Sequence, residues 1–364
     1  GVAVLWSCGV RQKIASILRQ DDAYVVPIDM QENARHDFSG VRFVPSDIRT
    51  SGSNSSSLVP SPLYGVFPVE KAPANLTVFG SSTVKKLGEK SFKPVVSVPV
   101  EDLDFATKWL QTQVAPFRRV SEMDAIRGFE NVNGINMSSS LGYGFTGEKS
   151  DYIDKCNAVL TPKGRAAVEE LRSQIISGNV DPHQVVWTEC LKDELRPLHK
   201  VDKPRTFRCA PWTLQYLCKE YLSEFVAHIV KNRWNNGVMV GINPLKDFTT
   251  LYQKLEKGLY TFSGDFSAWD GGMLPQLQLK AAEVVSNSFV GTEEDKKVVR
   301  YLLYNMPFSL VSLQGSLKQT NHSMPSGHLL TAIFNSLINR MMSGMWYHSL
   351  SISNGRKPSL VEFM

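Results

Sequence analysis

Apolar positions recur at two periods along the chain, and the change between them marks its elements. From Tyr260 the side chains alternate, with Tyr260, Phe262 and Phe266 on one side and Thr261, Ser263 and Asp265 on the other. That is the period-two pattern of a strand that buries aromatics and turns a carboxylate outward. Helical spacing follows over Gln276–Phe289, where Leu277, Leu279, Ala281, Ala282, Val284 and Val285 recur; Gly271, Gly272 and Pro275 ahead of it place Asp270 in the connecting turn. Trp212–Trp234 repeats Leu214, Leu217, Tyr221, Leu222, Phe225 and Ile229 at helical intervals. Asp102–Phe117, Met123–Gly128, Tyr152–Leu160 and Lys163–Ile176 read as shorter helices, and Pro307–Gln319 as a hairpin turning at Gln314 and Gly315. The most apolar long stretch is Leu329–Leu350, but Asn335, Asn339, Arg340 and His348 interrupt it, which favours a buried helix over a membrane helix. Ser359–Met364 alternates as a strand does.

Ahead of these elements, residues 1–49 predict a short helix at Lys13–Leu18 and a strand at Ala23–Ile28. Thr50–Ser57 is too poor in apolar side chains to offset its ordering entropy and predicts a mobile linker. At 364 residues the chain exceeds the usual single core, so two or more lobes are expected. A net charge of +5 permits a polyanionic partner without requiring one. Cys8, Cys156, Cys190, Cys209 and Cys218 are odd in number and lack any C-x2-C pair, which argues against a disulfide framework and a zinc site and for a reducing compartment. The apolar start at Gly1–Trp6 lacks a charged flank and is too short to span a bilayer; beginning at Gly1, the chain is expected to be a polyprotein product or a fragment.

Three stretches carry chemistry. Asp265 and Asp270 lie five residues apart at a strand end and its turn, where a carboxylate suits a hard divalent cation that bridges to substrate phosphates. Taken alone, such a pair is more often a solvated strand end and a helix cap. From Lys192 to Arg208 six Lys or Arg stand against three acids, with Pro197 and Pro204 discouraging a continuous helix. The resulting stiff basic arm suits a triphosphate, Arg205 forking onto two oxygens and Lys192, Lys200 and Lys203 acting as point charges; its plain alternative is a solvated loop. Downstream, Thr331, Asn335 and Asn339 recur every four residues as a polar seam beside Leu330, Phe334 and Ile338, opened by Ser326 and Gly327. His328 in that opening is expected to pack rather than to act as a base.

Tyr260–Asp270 and Met324–Arg340 together resemble motifs A and B of the RNA-dependent RNA polymerases of picorna-like positive-strand RNA viruses, written D-x4-D and S-G-x3-T-x3-N. Lys192–Arg196 with Lys200, Lys203 and Arg205 resembles the same family's basic motif F. Gly142–Phe145 with Lys149 and Asp151 resembles a fingers loop usually written G-Y-P-F, with Gly144 in place of the proline. Pro60–Gly65 and Lys71–Ala74 resemble its N-terminal fingers strand, and Asn236–Val238 with Gly241–Pro244 its turn from fingers to palm.

The resemblance implies an α+β right-hand polymerase fold with fingers and a partial palm and no thumb. Its parts would be an unassigned segment and linker at 1–59, fingers at 60–235, a first palm part with motif A at 236–304, a fingers hairpin at 305–322, and a second palm part with motif B at 323–364. It implies nucleotidyl transfer with Mg²⁺, or Mn²⁺ in its place, held by Asp265; ribose selection by Asp270, Ser326, Thr331 and Asn335; and template contacts at Ser326 and Gly327. Implied partners are a single-stranded RNA template and primer, ribonucleoside triphosphates, a small protein primer, and host membranes of cytoplasmic replication complexes. Motif C is expected beyond Met364, so these residues alone are expected to lack polymerase activity. A reverse transcriptase would place an aromatic gate against the 2′-hydroxyl where Asp270 and Asn335 suggest the opposite preference. A non-catalytic RNA-binding fragment and, more distantly, a metal hydrolase are the other readings.

Overall fold

The computed structural model describes residues 56–63, 66, 68–76, 98–257, 263–266, 269–313, 316–320 and 322–364. In chain order its strands are β1 (Lys71–Pro73), β2 (Gly128–Phe129), β3 (Val132–Asn133), β4 (Ile153–Asp154), β5 (Val159–Leu160), β6 (Trp187–Leu191), β7 (Leu195–Pro197), β8 (Thr206–Cys209), β9 (Leu310–Leu313) and β10 (Ser316–Gln319). The longer helices are α1 (Val100–Gln113), α2 (Glu122–Arg127), α3 (Pro162–Ser177), α4 (Trp212–Lys231), α5 (Pro244–Leu255), α6 (Pro275–Asn287), α7 (Glu293–Tyr304) and α8 (Thr331–Ser353). Four-residue helical turns lie at Arg233–Asn236, Trp269–Gly272 and Leu360–Phe363.

The helices with the clearest apolar periodicity form the core. On α4 the residues Leu214, Leu217, Tyr221, Leu222, Phe225 and Ile229 are all buried, as their spacing predicts. Phe225 meets Phe117 and, from α8, Phe334. The largest helix pair is α1 against α8, where Asp102 accepts a 2.6 Å hydrogen bond from the His348 ring and Phe105 packs at a tilt against that ring. Gly344 leaves room for the Phe363 ring, whose nearest carbon would stand 3.2 Å from an added Cβ. No helix among the described residues is long and apolar enough to cross a membrane.

A four-stranded sheet of order β10-β9-β6-β8 carries the basic arm. Strand β6 pairs antiparallel with β8 and parallel with β9, so the hairpin β9–β10 and the arm strand share one sheet. On the arm's other flank β1 pairs antiparallel with β7 in the register Ala72↔Arg196.

Four expectations change. Tyr152–Leu160 is the hairpin β4–β5 and not a helix: Asp154 accepts hydrogen bonds from the Asn157 backbone and side-chain amides, an Asx turn that competes with helix. Ser359–Met364 is a helical turn and not a strand, because no strand edge among the described residues adjoins it, Ser359 caps the Glu362 amide, and Phe363 is buried against Phe105, Trp109 and the Arg340 guanidinium. Of the expected mobile linker, residues 50–55 lie outside the described residues, and its end is anchored, Ser56 and Ser57 donating to the Asp193 carboxylate at 2.6 to 2.8 Å. Of the strand expected to carry Asp265, Tyr260–Phe262 lie outside the described residues, and Ser263–Phe266 join no ladder among those described. The elements expected in residues 1–49 also lie outside the described residues.

Candidate active site

The site is assembled where the β8 end of the arm, the turn after Asp265 and the loop before α8 meet. The loop, Ser323–Leu330, is pinned to β8 by backbone contacts that only its sequence permits. Ser326 Oγ accepts the Arg208 amide at 3.0 Å. Gly327 lies so close to that strand that a Cβ would stand 1.9 Å from the Arg208 carbonyl oxygen. Thr331 Oγ1 donates to the carbonyls of Pro325 at 2.7 Å and His328 at 2.8 Å, so its hydroxyl closes the loop onto the helix.

His328 is buried beneath the loop. Its Nδ1 accepts the Leu330 amide at 3.1 Å, which leaves the proton on Nε2, 3.4 Å from Cys218 Sγ. Burial pushes its pKa down to about 4, so it is a neutral packing residue, as the sequence suggests.

The loop also holds the turn that carries Asp270. The Met324 amide donates to the Asp270 carbonyl at 2.9 Å, and the His322 ring meets the Gly271 carbonyl at 3.0 Å. One turn into α8, Asn335 Nδ2 donates to Asp270 Oδ1 at 3.3 Å. Asn335 Oδ1 is then buried with no hydrogen-bond partner among the described residues, an acceptor placed beside a carboxylate. Asn339, next on the seam, is exposed, and its carbonyl accepts the Ser343 hydroxyl.

On the arm, Glu194 is ringed by Lys192 at 3.4 Å, Arg196 at 3.6 Å and Arg205 at 3.6 Å. The Lys192 amide donates to the Arg205 carbonyl at 2.8 Å, which keeps these two cations together. Lys200 and Lys203 are exposed and form no ion pair among the described residues. Next to the arm, Lys149 is buried and donates to the Asn136 carbonyl and to Ser139, and burial pushes its pKa down to about 8. Its loop, with Tyr143 and Thr188, lines a cavity of about 580 Å³.

The model of the viral RNA-dependent RNA polymerase family matches residues 83–361, well over half of the chain. The chain belongs to the viral RNA-dependent RNA polymerases. Among curated proteins, this polymerase chain is 29% identical over 269 residues to the genome polyprotein of human hepatitis A virus genotype IA (isolate HAS-15), covering 68% of the chain and 13% of the polyprotein. It is also 29% identical over 293 residues to the genome polyprotein of avian encephalomyelitis virus (strain Calnek vaccine), covering 77% of the chain and 13% of that polyprotein. A solved structure, the sicinivirus 3Dpol RNA dependent RNA polymerase, superposes with a TM-score of 0.64 at 21% identity, covering 84% of this chain and 66% of that one. The mixed helix and strand fold is therefore a polymerase fold. The chain spans about an eighth of the length of the curated relatives it matches.

In this polymerase chain bonds join Arg208 at the end of the arm, the Ser326 loop, Asp270 and Asn335; among the described residues no hydrogen bond or ion pair ties Asp265 or the cations Lys192, Lys200, Lys203 and Arg205 to them. Two contributors were not singled out from the sequence, Arg208 and its partner Glu189; only their facing register on β8 and β6 reveals them. Asp265 and Asp270 are both exposed, and among the described residues no group of three His, Cys, Asp or Glu could hold a metal alone. Exposed carboxylates are nevertheless the donors that fit Mg²⁺, which keeps waters and binds through one or two carboxylates and substrate phosphates.

Proposed function

We propose that this chain is the part of a viral polymerase that positions ribonucleoside triphosphate and template for RNA synthesis by nucleotidyl transfer. The observation that carries it is the Asp270–Asn335 hydrogen bond, which joins two segments 65 residues apart beside the Ser326 loop. A site built to hydrogen-bond a hydroxyl rejects the analogue lacking it more strongly than shape alone can. Asp270 and Asn335 Oδ1, which has no hydrogen-bond partner among the described residues, offer acceptors to a ribose 2′-hydroxyl, while Ser326 and Thr331 fix the loop that lies between them. Lys192, Lys200, Lys203 and Arg205 supply the positive charge a triphosphate requires.

Asp265 would hold Mg²⁺, with Mn²⁺ as a substitute; when bound, the ion neutralises phosphate charge that develops during transfer. Exposed Gly327 beside the half-buried Ser326 is suited to a template strand, and the loop's anchoring keeps that surface fixed before RNA arrives. In this assignment residues 60–235 and the hairpin at 305–322 belong to the fingers, and 236–304 and 323–364 to the palm. A small protein primer and membrane-associated replication complexes in the host cytoplasm belong to the same proposal. The test is template-directed, Mg²⁺-dependent ribonucleotide incorporation by a polypeptide containing this chain. Asp265→Ala should abolish it, and undiminished incorporation would refute the assignment.

A further inference from the structure

One buried guanidinium touches both halves of the site. Arg208 donates from Nε to Glu189 Oε2 at 3.0 Å and from Nη1 to Ser323 Oγ at 2.8 Å, while its amide donates to Ser326 Oγ at 3.0 Å. Its carbonyl is the atom against which Gly327 packs. Glu189 stands directly opposite on β6, so the ion pair is built into the ladder. Ser323 is held at φ 102, a conformation unusual for a side-chain-bearing residue, between Arg208 and the Gln278 amide that donates to its carbonyl at 3.1 Å.

Upstream on the same strand runs the basic arm. Arg205 precedes Arg208 by three residues, about 10 Å along an extended chain, and is registered to Lys192 by the backbone bond described above. A strand held by ladder bonds and a buried ion pair moves as a stiff unit. The loop has no slack against it, because Gly327 leaves no room for a Cβ.

We propose that Arg208 is a positioning residue that couples the two halves of the site, so that a ribonucleoside triphosphate on the arm and an RNA strand at Ser326–Gly327 strengthen each other's binding through β8. The coupling rests on the polymerase function proposed above. Lysine at this position keeps the charge but lacks the planar fork that reaches Glu189 and Ser323 together. Ser323→Ala removes one acceptor and leaves the ion pair intact.

The test uses the chain itself, a fluorescent uridine homopolymer and ATP with Mg²⁺. RNA affinity is measured with and without saturating ATP, and ATP affinity with and without RNA. The unaltered chain should show the same tightening in both directions, about fivefold or more. In Arg208→Lys and in Ser323→Ala the ratio should fall to about one, with thermal unfolding of the serine variant showing that it folds. Coupling retained in the folded variants, or absent from an unaltered chain that binds both ligands, overturns the proposal. An unaltered chain that binds neither ligand overturns the polymerase function and this coupling with it.

Discussion

Replacing Gly327 by alanine puts the geometry of the loop to a numerical test. The added Cβ would stand 1.9 Å from the Arg208 carbonyl oxygen and 3.1 Å from its carbon. Close carbon–oxygen contacts in proteins lie near 3.3 Å, so about 1.4 Å of overlap must be relieved. The obstruction is backbone of β8, which is bonded to β6 on one side and cannot rotate away as a side chain would. The loop must therefore move, carrying Ser326 from the Arg208 amide. Overpacking of this kind costs about 1–3 kcal/mol, and at about 2–4 °C per kcal/mol for large domains the melting temperature should fall by about 2–12 °C. Gly272→Ala is the control, since nothing lies within 4 Å of its added Cβ and such a change should stay within about 0.5 kcal/mol. Thermal unfolding followed by circular dichroism reads both, and RNA affinity reads the loop. If Gly327→Ala melts and binds RNA as Gly272→Ala does, the close packing of loop on strand is wrong.

Acid should reveal His328. Its pKa is about 4 when folded against 6.5 for the exposed ring, so on acidification the unfolded chain takes up the proton first. The stability at stake, about 3 kcal/mol, is fully present above pH 6.5 and is lost as pH falls toward 4. His328→Asn, whose Oδ1 can still accept the Leu330 amide, should flatten the slope of unfolding free energy between pH 7 and 4 measured in urea; equal slopes would show that the ring is not protected from protonation. On the arm, Lys203→Gln should weaken ATP binding by up to about fivefold, since exposed charge pairs are worth about 0.2–1 kcal/mol, and added salt should shrink the difference. A fluorescence titration showing no change at low salt would remove Lys203 from the triphosphate contacts.

What could be read from the sequence divides along a physical line. Where apolar residues recur at helical spacing, as in α3, α4, α6 and α8, that spacing located the helix within a few positions. Where a local bond competes with the pattern, the spacing misled: Asp154 and Asn157 close a turn inside an apparently amphipathic stretch. Two helices were passed over for opposite reasons. Helix α5 exposes Leu245, Phe248, Tyr252 and Leu255, so its apolar face meets no core among the described residues. Helix α7 announces itself by the Thr292–Asp295 capping box, a signal the apolar pattern alone does not carry.

The site followed the same division. Asp270, Ser326, Thr331 and Asn335 stand at motif spacings and meet in space, each through a named bond. Arg208 is one cation among six in the arm from Lys192 and gains its place only when β8 is laid against β6 and the loop. The strained Ser323 has no local signature at all, because its conformation is held by Arg208 and Gln278 from elsewhere in the chain.

Ribose choice is the measurement that bears most directly on the proposed site. With Mg²⁺ and an RNA template, a polypeptide containing this chain is titrated with a ribonucleoside triphosphate and with its 2′-deoxy analogue, before and after Asn335→Ala. Acceptors on Asp270 and Asn335 predict a clear preference for the ribonucleotide that falls about tenfold in the variant, roughly the worth of one hydrogen bond. Equal affinity for the two nucleotides in the unaltered protein, or a preference that survives Asn335→Ala undiminished, would contradict it.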